Sequence, residues 1–316
     1  MTNPRIDRRQ MLIGAAALLA GGTGAFAQAW PSRTVQILVG FGAGGVSAVA
    51  ARLLAEGLRP LVGQSIVVEN KPGASGMIAA TAVARSAPDG HTLLSMPGTI
   101  TIVPSVMKQM PIDVLKDLVA VTIFATSPNV IVVKADSPYK TLKDLVSEIK
   151  QKPPDEFVYA SSGIGTTVHL MAGMLERSAG IRMRHVPFRS SSESIQSVLA
   201  GQIPIVFSSV NSALPFIQGG NARALAVATK TRSDFLPDVP TFAEEGVRAV
   251  QSETWFGLGA PAATPKDLID QIARMSIKVM SDPAMKARLA ALGAQPLDLG
   301  PDAARAQMER EVKEFA

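Results

Sequence analysis

The stretch Thr34–Leu58, TVQILVGFGAGGVSAVAARLLAEGL, carries the clearest signal of fold class in this chain. It starts with an apolar run rich in β-branched residues, passes through a glycine-rich turn and ends with helical periodicity. Its glycines Gly40, Gly42 and Gly45 match G-x-G-x-x-G, a pattern that brings a helix N-terminus close to an anion. The chain is therefore predicted to begin its fold with an anion-binding strand–turn–helix unit.

Two interpretations of this unit are open. Glu69 ends the next apolar run, SIVVEN, where a dinucleotide site places the acid that binds the ribose. A nicotinamide oxidoreductase would use the turn for a pyrophosphate, whereas another class of protein would use the same backbone groups for a different anion.

Composition excludes several kinds of site. The chain has 316 residues, enough for two domains, and 47% of them are hydrophobic, which predicts a well-filled core. It has no cysteine, so disulfides, thiol nucleophiles and zinc–thiolate sites are excluded. His91, His169 and His185 show no metal-ligand spacing, and no G-x-S-x-G motif is present. We therefore expect no metal, no cofactor and no catalytic residue.

Residues 1–27 have the pattern of an export signal. Arg5, Arg8 and Arg9 form a basic start, MLIGAAALLAGGTGAFA is short and apolar, and Ala25–Ala27 is an A-x-A cleavage site. The segment DRRQMLIG resembles a twin-arginine signal and also fits an ordinary basic start, so both export routes are open. An uncleaved membrane anchor is the remaining alternative.

Loss of residues 1–27 changes the charge and the set of possible partners. It removes three arginines and one aspartate, a net +2, so the formal charge falls from +5 to +3. No basic cluster interleaved with aromatic residues remains, which argues against nucleic-acid binding. We expect a monomeric periplasmic protein, and that compartment maintains no pool of free NAD for a nicotinamide enzyme.

The remaining chain alternates strand-like and helix-like segments, which predicts an α/β fold with mainly parallel sheets. Ser47 is predicted to cap the first helix, and three C-terminal helices open near prolines. No long linker divides the chain, so two lobes joined by crossings near Asn129–Val133 and Trp255–Gly259 fit better than two separate domains. We expect residues 28–128 and 253–316 to form lobe 1 and residues 129–252 to form lobe 2.

Small polar turns between strands and helices recur in both expected lobes. In open α/β sheets such turns gather where ligands bind, and each brings backbone N–H groups to a helix N-terminus. A single turn of this kind also fits ordinary capping, so it is the recurrence that predicts a cleft for a small carboxylate. The turns are Gly40–Ser47, Asn70–Gly76, Ser161–Thr167, Arg189–Ser192 and Ser208–Ser212.

Longer segments resemble the Bug family, the substrate-binding proteins of tripartite tricarboxylate transporters. The resemblance covers essentially all of residues 30–316. It rests on the first loop and on VVENKPGASGMIAA (Val67–Ala80), APDGHTLL (Ala87–Leu94), SPNVIVV (Ser127–Val133), HVPFRSSSESIQSVLAGQIPIVFSS (His185–Ser209) and LPDVPTFAEEG (Leu236–Gly246).

The resemblance implies a periplasmic, two-lobed type II binding-protein fold with two crossover strands and a ligand cleft between the lobes. It implies capture of a small organic carboxylate and delivery to membrane subunits of the transporter; a sensor that presents its ligand to a membrane signalling partner is the alternative. By position, the implied ligand-binding residues are Phe41, Ala43, Gly44, Ser75, Gly76, Ser161, Ser162, Thr166, Thr167, Ser208 and Ser209.

Three departures from the family pattern bear on the ligand. Ala48 stands where the family often has Asp, and Phe188 stands where Tyr is usual. Arg189 replaces the usual Lys and offers a forked donor suited to a second carboxylate, provided that it faces the cleft. Together these changes predict a di- or aromatic carboxylate rather than an amino acid.

Overall fold

The computed structural model describes residues 30–43 and 45–316, so the expected export signal and Gly44 lie outside the described residues. Its strands are β1 (Val35–Val39), β2 (Ile66–Asn70), β3 (Thr92–Pro97), β4 (Leu118–Lys134), β5 (Val158–Ser161), β6 (Arg184–Pro187), β7 (Ile205–Ser209), β8 (Ala222–Val227), β9 (Glu253–Pro261) and β10 (Gln295–Leu299). Its helices are α1 (Val46–Val62), α2 (Met77–Ala84), α3 (Thr99–Val106), α4 (Leu142–Lys150), α5 (Thr167–Ala179), α6 (Ser191–Leu199), α7 (Val210–Gln218), α8 (Lys266–Met280), α9 (Pro283–Ala291) and α10 (Pro301–Phe315).

The long strand β4 connects two groups of strands. Its residues Leu118–Pro128 pair with β9, and part of that stretch also pairs with β10; β9 in turn pairs with β3, which continues to β1 and β2. Its residues Asn129–Lys134 pair with β7 and β8, and β7 continues to β5 and β6. We call these the first and second strand groups. The expected α/β class is confirmed.

Apolar side chains cover both faces of each strand group. In β4, Ile131 and Val133 belong to one core cluster of the second group, and Val130 and Val132 belong to the cluster on the opposite face. Strands that are buried on both faces lose the alternation of polar and apolar residues and become continuously apolar. The unbroken apolar runs of the sequence therefore follow from helices packing on both sides.

Four sequence predictions about elements are corrected. The sheet is mixed, because β9 runs antiparallel to β3 and β4, and β7 and β8 run antiparallel to β4. The segments Val119–Thr126 and Asn129–Lys134 form one strand, in which Pro128 occupies the last position paired with β9. Because all of β9 pairs within the first group, the second crossing precedes Glu253 and does not lie at Trp255–Gly259. The N-cap of α1 is Gly45, not Ser47.

Candidate functional site

A cleft between the two strand groups is partly open to solvent and has a cavity volume of about 40 Å³. Eight of the thirteen described residues that line it carry a hydroxyl group. The first group contributes Phe41, Gly45, Ser47, Pro97, Thr99, Thr254 and Phe256, and the second contributes Ser162, Thr166, Thr167, Val168, Ser191 and Ser209. Among the described residues, no Lys, Arg, Asp or Glu side chain lines this cleft.

Five helices of the described chain begin at this cleft. Gly45 precedes α1, Thr99 opens α3, Thr167 opens α5, Ser191 opens α6 and Ser209 precedes α7. Each helix N-terminus carries roughly half a positive charge and unpaired N–H groups. The N-cap residues of α1, α3 and α7 make no side-chain capping bond. In their first turns, the N–H groups of Ala48 and Thr101 donate to backbone carbonyls and that of Asn211 donates to the Ser127 hydroxyl, so the earlier N–H groups of these turns are the ones available to an anion. The electrostatics of the cleft therefore favour a small anion without any formal cation.

Hydroxyl groups complete the wall of the cleft. The Thr166 hydroxyl donates to the carbonyl of Gly163 at 2.8 Å and accepts from the N–H of His169 at 3.3 Å, which fixes it as the cap of α5. The hydroxyls of Thr167 and Thr254 form a hydrogen bond that joins α5 to β9. Both strand groups therefore contribute hydroxyls whose positions are held by neighbouring groups.

The two strand groups contact each other over the cleft. The N–H of Gly42 donates to the carbonyl of Arg189 at 3.3 Å, and the hydroxyl of Ser75 donates to the carbonyl of Ile164. Each bond joins a glycine-containing loop of the first group to a loop of the second. These loops of the two strand groups are therefore closed onto each other at the edge of the cleft.

The glycine turn after β1 makes room for other parts of the protein. A Cβ atom on Gly40 would lie 2.4 Å from the Cα of Gly76, and one on Gly42 would lie 3.0 Å from the Cβ of Ser190. The space that a pyrophosphate would need above this turn is filled by those two loops. Glu69, the residue suited to a ribose, lies 3.4 Å from the Lys71 ammonium. These contacts do not favour the dinucleotide interpretation.

The side chains of Arg52 and Asn70, which do not line the cleft, hold the glycine turn after β1 by hydrogen bonds. The Arg52 guanidinium donates to the carbonyl of Ala43 at 2.9 Å and to the Asn70 side-chain oxygen at 3.1 Å. The Asn70 amide in turn donates to the carbonyl of Phe41 at 2.8 Å. The carbonyls of the turn are thus occupied by donors outside the cleft.

A second hollow adjoins the cleft and shares two of its residues. It is partly open to solvent and has a cavity volume of about 270 Å³, and its wall includes Phe41, Ser75, Ser162 and Arg189. Arg189 is exposed, and its guanidinium has no hydrogen-bond or ion-pair partner among the described residues. A ligand that extends from the cleft past Phe41 would therefore meet a cation.

The structure brings together only part of the predicted set of ligand-binding residues. Ser161 and Ser208 are fully buried below the cleft, because their side chains point into the second group; the exposed Ala43 lines neither hollow. Gly44 lies outside the described residues. Phe41, Ser162, Thr166, Thr167 and Ser209 line the cleft, whereas Ser75 and Arg189 line the adjoining hollow and Gly76 lines a small pocket beside Gly40.

Sequence reasoning missed several residues of the wall. Ser191 lies in one of the recurring polar turns, so its signal was present. Thr99 opens α3, a helix that was not predicted, and Thr254 lies on β9, where nothing local marks it as a cleft residue. Ala48 is fully buried in the core of the first group, so it does not line the cleft.

Two stacked histidines lie behind the loop between β5 and α5. The ring centroids of His169 and His185 are 4.3 Å apart. Burial, followed by the charge of His169, lowers the pKa of His185 to about 4, and burial also lowers the pKa of His169. Both rings are therefore neutral near pH 7.

Metal-binding clusters and membrane-spanning helices are both absent from the described part of the chain. Within residues 30–43 and 45–316, no group of three or more His, Asp or Glu side chains is arranged to hold a metal ion. Over the same ranges, no helix combines the length and the apolar character needed to cross a bilayer.

Comparisons with known proteins agree with this geometry. Residues 50–312 match the family model of the tripartite tricarboxylate transporter family receptor. Protein BugT of Bordetella pertussis is 32% identical over 292 residues, which are 92% of this chain and 89% of BugT.

Two solved structures are similar over nearly the whole chain. The structure of Rpa4515 of R. palustris with adipate is 30% identical and superposes with a TM-score of 0.87, covering 90% of this chain and 96% of its own. MatC (Rpa3494) from Rhodopseudomonas palustris with bound malate is 28% identical, with a TM-score of 0.86 and coverage of 90% and 98%. Both similarities extend through both strand groups.

Proposed function

This chain belongs to the tripartite tricarboxylate transporter receptor family, the Bug-type periplasmic solute-binding proteins, and on that premise we propose that its cleft captures a small organic dicarboxylate. The observation that carries the proposal is the convergence of five helix N-termini on one cleft without a cation. That arrangement offers N–H and hydroxyl donors to a carboxylate, and among the described residues of the cleft wall no His, Lys, Asp or Glu side chain accompanies the hydroxyls as an acid or base.

The adjoining hollow supports a second carboxylate on the ligand. A carboxylate held at the helix N-termini leaves the rest of the molecule free to extend past Phe41 toward Arg189. A guanidinium forms two parallel hydrogen bonds with a carboxylate, which favours a dianion over a ligand with one acid group. The adipate and malate bound by the two similar structures are both dicarboxylates.

The division into lobes is part of the same proposal. Residues 28–128 with 253–316 would form one lobe and residues 129–252 the other. The change of partners within β4, from β9 and β10 before Asn129 to β7 and β8 after it, supports this boundary. Around it, the Asn129 amide donates to the Ser252 hydroxyl at 2.8 Å, and the Thr254 hydroxyl donates to the Asn129 oxygen at 3.0 Å.

The cellular role follows from the family. We propose export directed by residues 1–27, capture of the ligand in the periplasm by a monomer, and delivery to the membrane subunits of a tripartite transporter. Pull-down of those subunits by the ligand-loaded mature chain, compared with the unloaded chain, tests delivery. Equal recovery with and without ligand would argue against it.

Binding is tested by thermal unfolding with a panel of ligands. Adipate and malate should raise the midpoint of unfolding, because a ligand at 100 times its Kd stabilises the folded state by about 2.7 kcal/mol. Hexanoate, aspartate and NAD serve as comparisons, and native mass spectrometry of freshly purified protein identifies any acid that co-purifies. A shift with NAD, or a shift with the amino acid aspartate and with neither adipate nor malate, would overturn the proposal.

A further inference from the structure

The loop between β5 and α5 is held at two points by histidine side chains. The hydroxyl of Ser161, at its start, lies 2.6 Å from Nε2 of His185. The N–H of Gly165 donates to Nδ1 of His169 at 3.2 Å. Because Nδ1 accepts this bond, a neutral His169 carries its proton on Nε2.

The rest of the loop depends on these two points. The N–H of Gly163 donates to the Ser161 hydroxyl at 3.1 Å, and the Gly163 carbonyl accepts from the Thr166 hydroxyl at 2.8 Å. Gly163 and Gly165 have φ angles of 130° and 72°, values that favour glycine. The conformation that brings Ser162, Thr166 and Thr167 to the cleft is thus built on the histidines, although neither imidazole lines the cleft.

We propose that His169 and His185 are positioning residues that hold the carboxylate-binding loop only while both rings are neutral. A proton on Nδ1 of His169 would remove the acceptor of the Gly165 N–H. A proton on His185 would put a charge against the stacked ring of His169. Since the loop and the first residue of α5 together carry three residues of the cleft, either event weakens ligand binding. This inference rests on the proposed function for its effect on the ligand, but not for its effect on the loop.

The surroundings of the pair offer no compensation for a positive charge. Tyr159 of β5 stacks against His185, with ring centroids 4.9 Å apart. Glu176 of α5 accepts the N–H of Met183 at 2.6 Å, and burial raises the pKa of its carboxyl. Glu193 of α6 accepts the N–H of Arg189, and Arg184 of β6 is exposed. Among the described residues, no carboxylate forms an ion pair or hydrogen bond with either ring, and burial lowers the pKa of both.

The first test compares the pH dependence of adipate binding in the wild type and in the double variant His169→Asn, His185→Gln. Asparagine places an oxygen near the position of Nδ1, glutamine places an amide near that of Nε2, and neither titrates. As the pH falls from 7.5 toward 4, the wild type should lose affinity more steeply than the variant, and the extra loss should approach about tenfold per pH unit only below the pKa of a ring. Adipate takes up protons equally in both experiments, so the ratio reports the histidines. Identical profiles would overturn the inference.

A conservative substitution at residue 169 distinguishes the role of its hydrogen-bond acceptor from that of its side-chain packing. At pH 7.5, His169→Leu should bind adipate at least about tenfold more weakly, because the Gly165 N–H loses its acceptor. His169→Asn should recover most of the affinity for adipate that His169→Leu loses. Equal binding by the Leu and Asn variants would contradict the proposed role of Nδ1.

A final test needs no ligand. In the wild type, the NMR amide signals of Gly163 and Gly165 should shift at the same pH as the histidine ring signals, and in the double variant they should stay in place. If no carboxylate binds the wild type at any pH, the proposed function fails while this measurement still decides the inference. Amide signals of Gly163 and Gly165 that do not change while the histidine rings titrate would overturn the inference.

Discussion

Arg189 is the residue on which a preference for dicarboxylates depends. Charge-assisted hydrogen bonds contribute about 1.5–3 kcal/mol, so Arg189→Gln should weaken adipate binding by about 10- to 150-fold. Hexanoate has the same chain length and one carboxylate, and its affinity should not change. Isothermal titration calorimetry measures both, with Arg184→Gln as a control, since Arg184 is exposed and lines neither hollow. An equal loss of affinity for adipate and hexanoate would show that Arg189 does not bind the second carboxylate.

A substitution at Gly40 tests how closely the loop after β1 must approach the loop that contains Gly76. The new Cβ of Gly40→Ala would meet the backbone of Gly76 at 2.4 Å, so the substitution should destabilise the fold by about 1–3 kcal/mol. Gly173→Ala is the matched control: it lies in α5 with nothing within 4 Å of the new methyl group, and it should stabilise by about 0.5–1 kcal/mol. Urea unfolding measures both, and an unaffected Gly40→Ala would show that the loops can separate freely.

The histidine pair also predicts how stability depends on pH. Because the folded protein lowers the pKa of His185 from 6.5 to about 4, the unfolded chain binds protons at a higher pH than the folded one. The stability contributed by the neutral ring is therefore complete above about pH 6.5 and is lost as the pH falls toward 4. Urea unfolding should show a steeper loss for the wild type than for His185→Gln over this interval, and parallel curves would contradict the assignment.

At the scale of elements, the positive ends of helices should account for anion binding. Ser191→Asp adds a negative charge to the first turn of α6, where it suits the helix dipole but repels a carboxylate in the cleft. Adipate binding should fall at least about 100-fold while the midpoint of thermal unfolding stays within a few degrees. The control Ala284→Asp adds the same charge to the first turn of α9, outside the cleft, and should bind normally. An equal loss of adipate affinity in the two variants would show that the net charge of the protein, and not the position of the new charge, weakens binding.

The polar turns and most strand–helix alternation could be predicted because they depend on local chemistry. Glycine and serine between an apolar run and a helical pattern mark the turns that lead into α1, α5 and α7. Local signals do not show which face of a buried strand borders the cleft, so they favour the buried Ser161 and Ser208 and give no indication of Thr254. The helix α3 was missed because its apolar, β-branched sequence TITIVPSV is equally typical of a strand.

At the scale of the whole molecule, β4 joins both strand groups and Asn129 lies where its partners change. Its side chain is fully buried and bonds with Ser252 and Thr254, so the crossings of the two lobes are joined by hydrogen bonds. Closure about this point predicts that adipate reduces the radius of gyration in small-angle X-ray scattering. Ser191→Asp should show no change at the same adipate concentration. A ligand-independent radius in the wild type would argue against closure.

The position of the carboxylate within the cleft is the central claim, and a crystal structure of the chain with adipate tests it most directly. One carboxylate should accept hydrogen bonds from the N-terminal groups of α5, α6 and α7, around Thr166, Ser191 and Ser209, and the other should lie toward Arg189. Adipate bound outside the space between the two strand groups, with those N-terminal groups contacting only protein or water, would contradict the account.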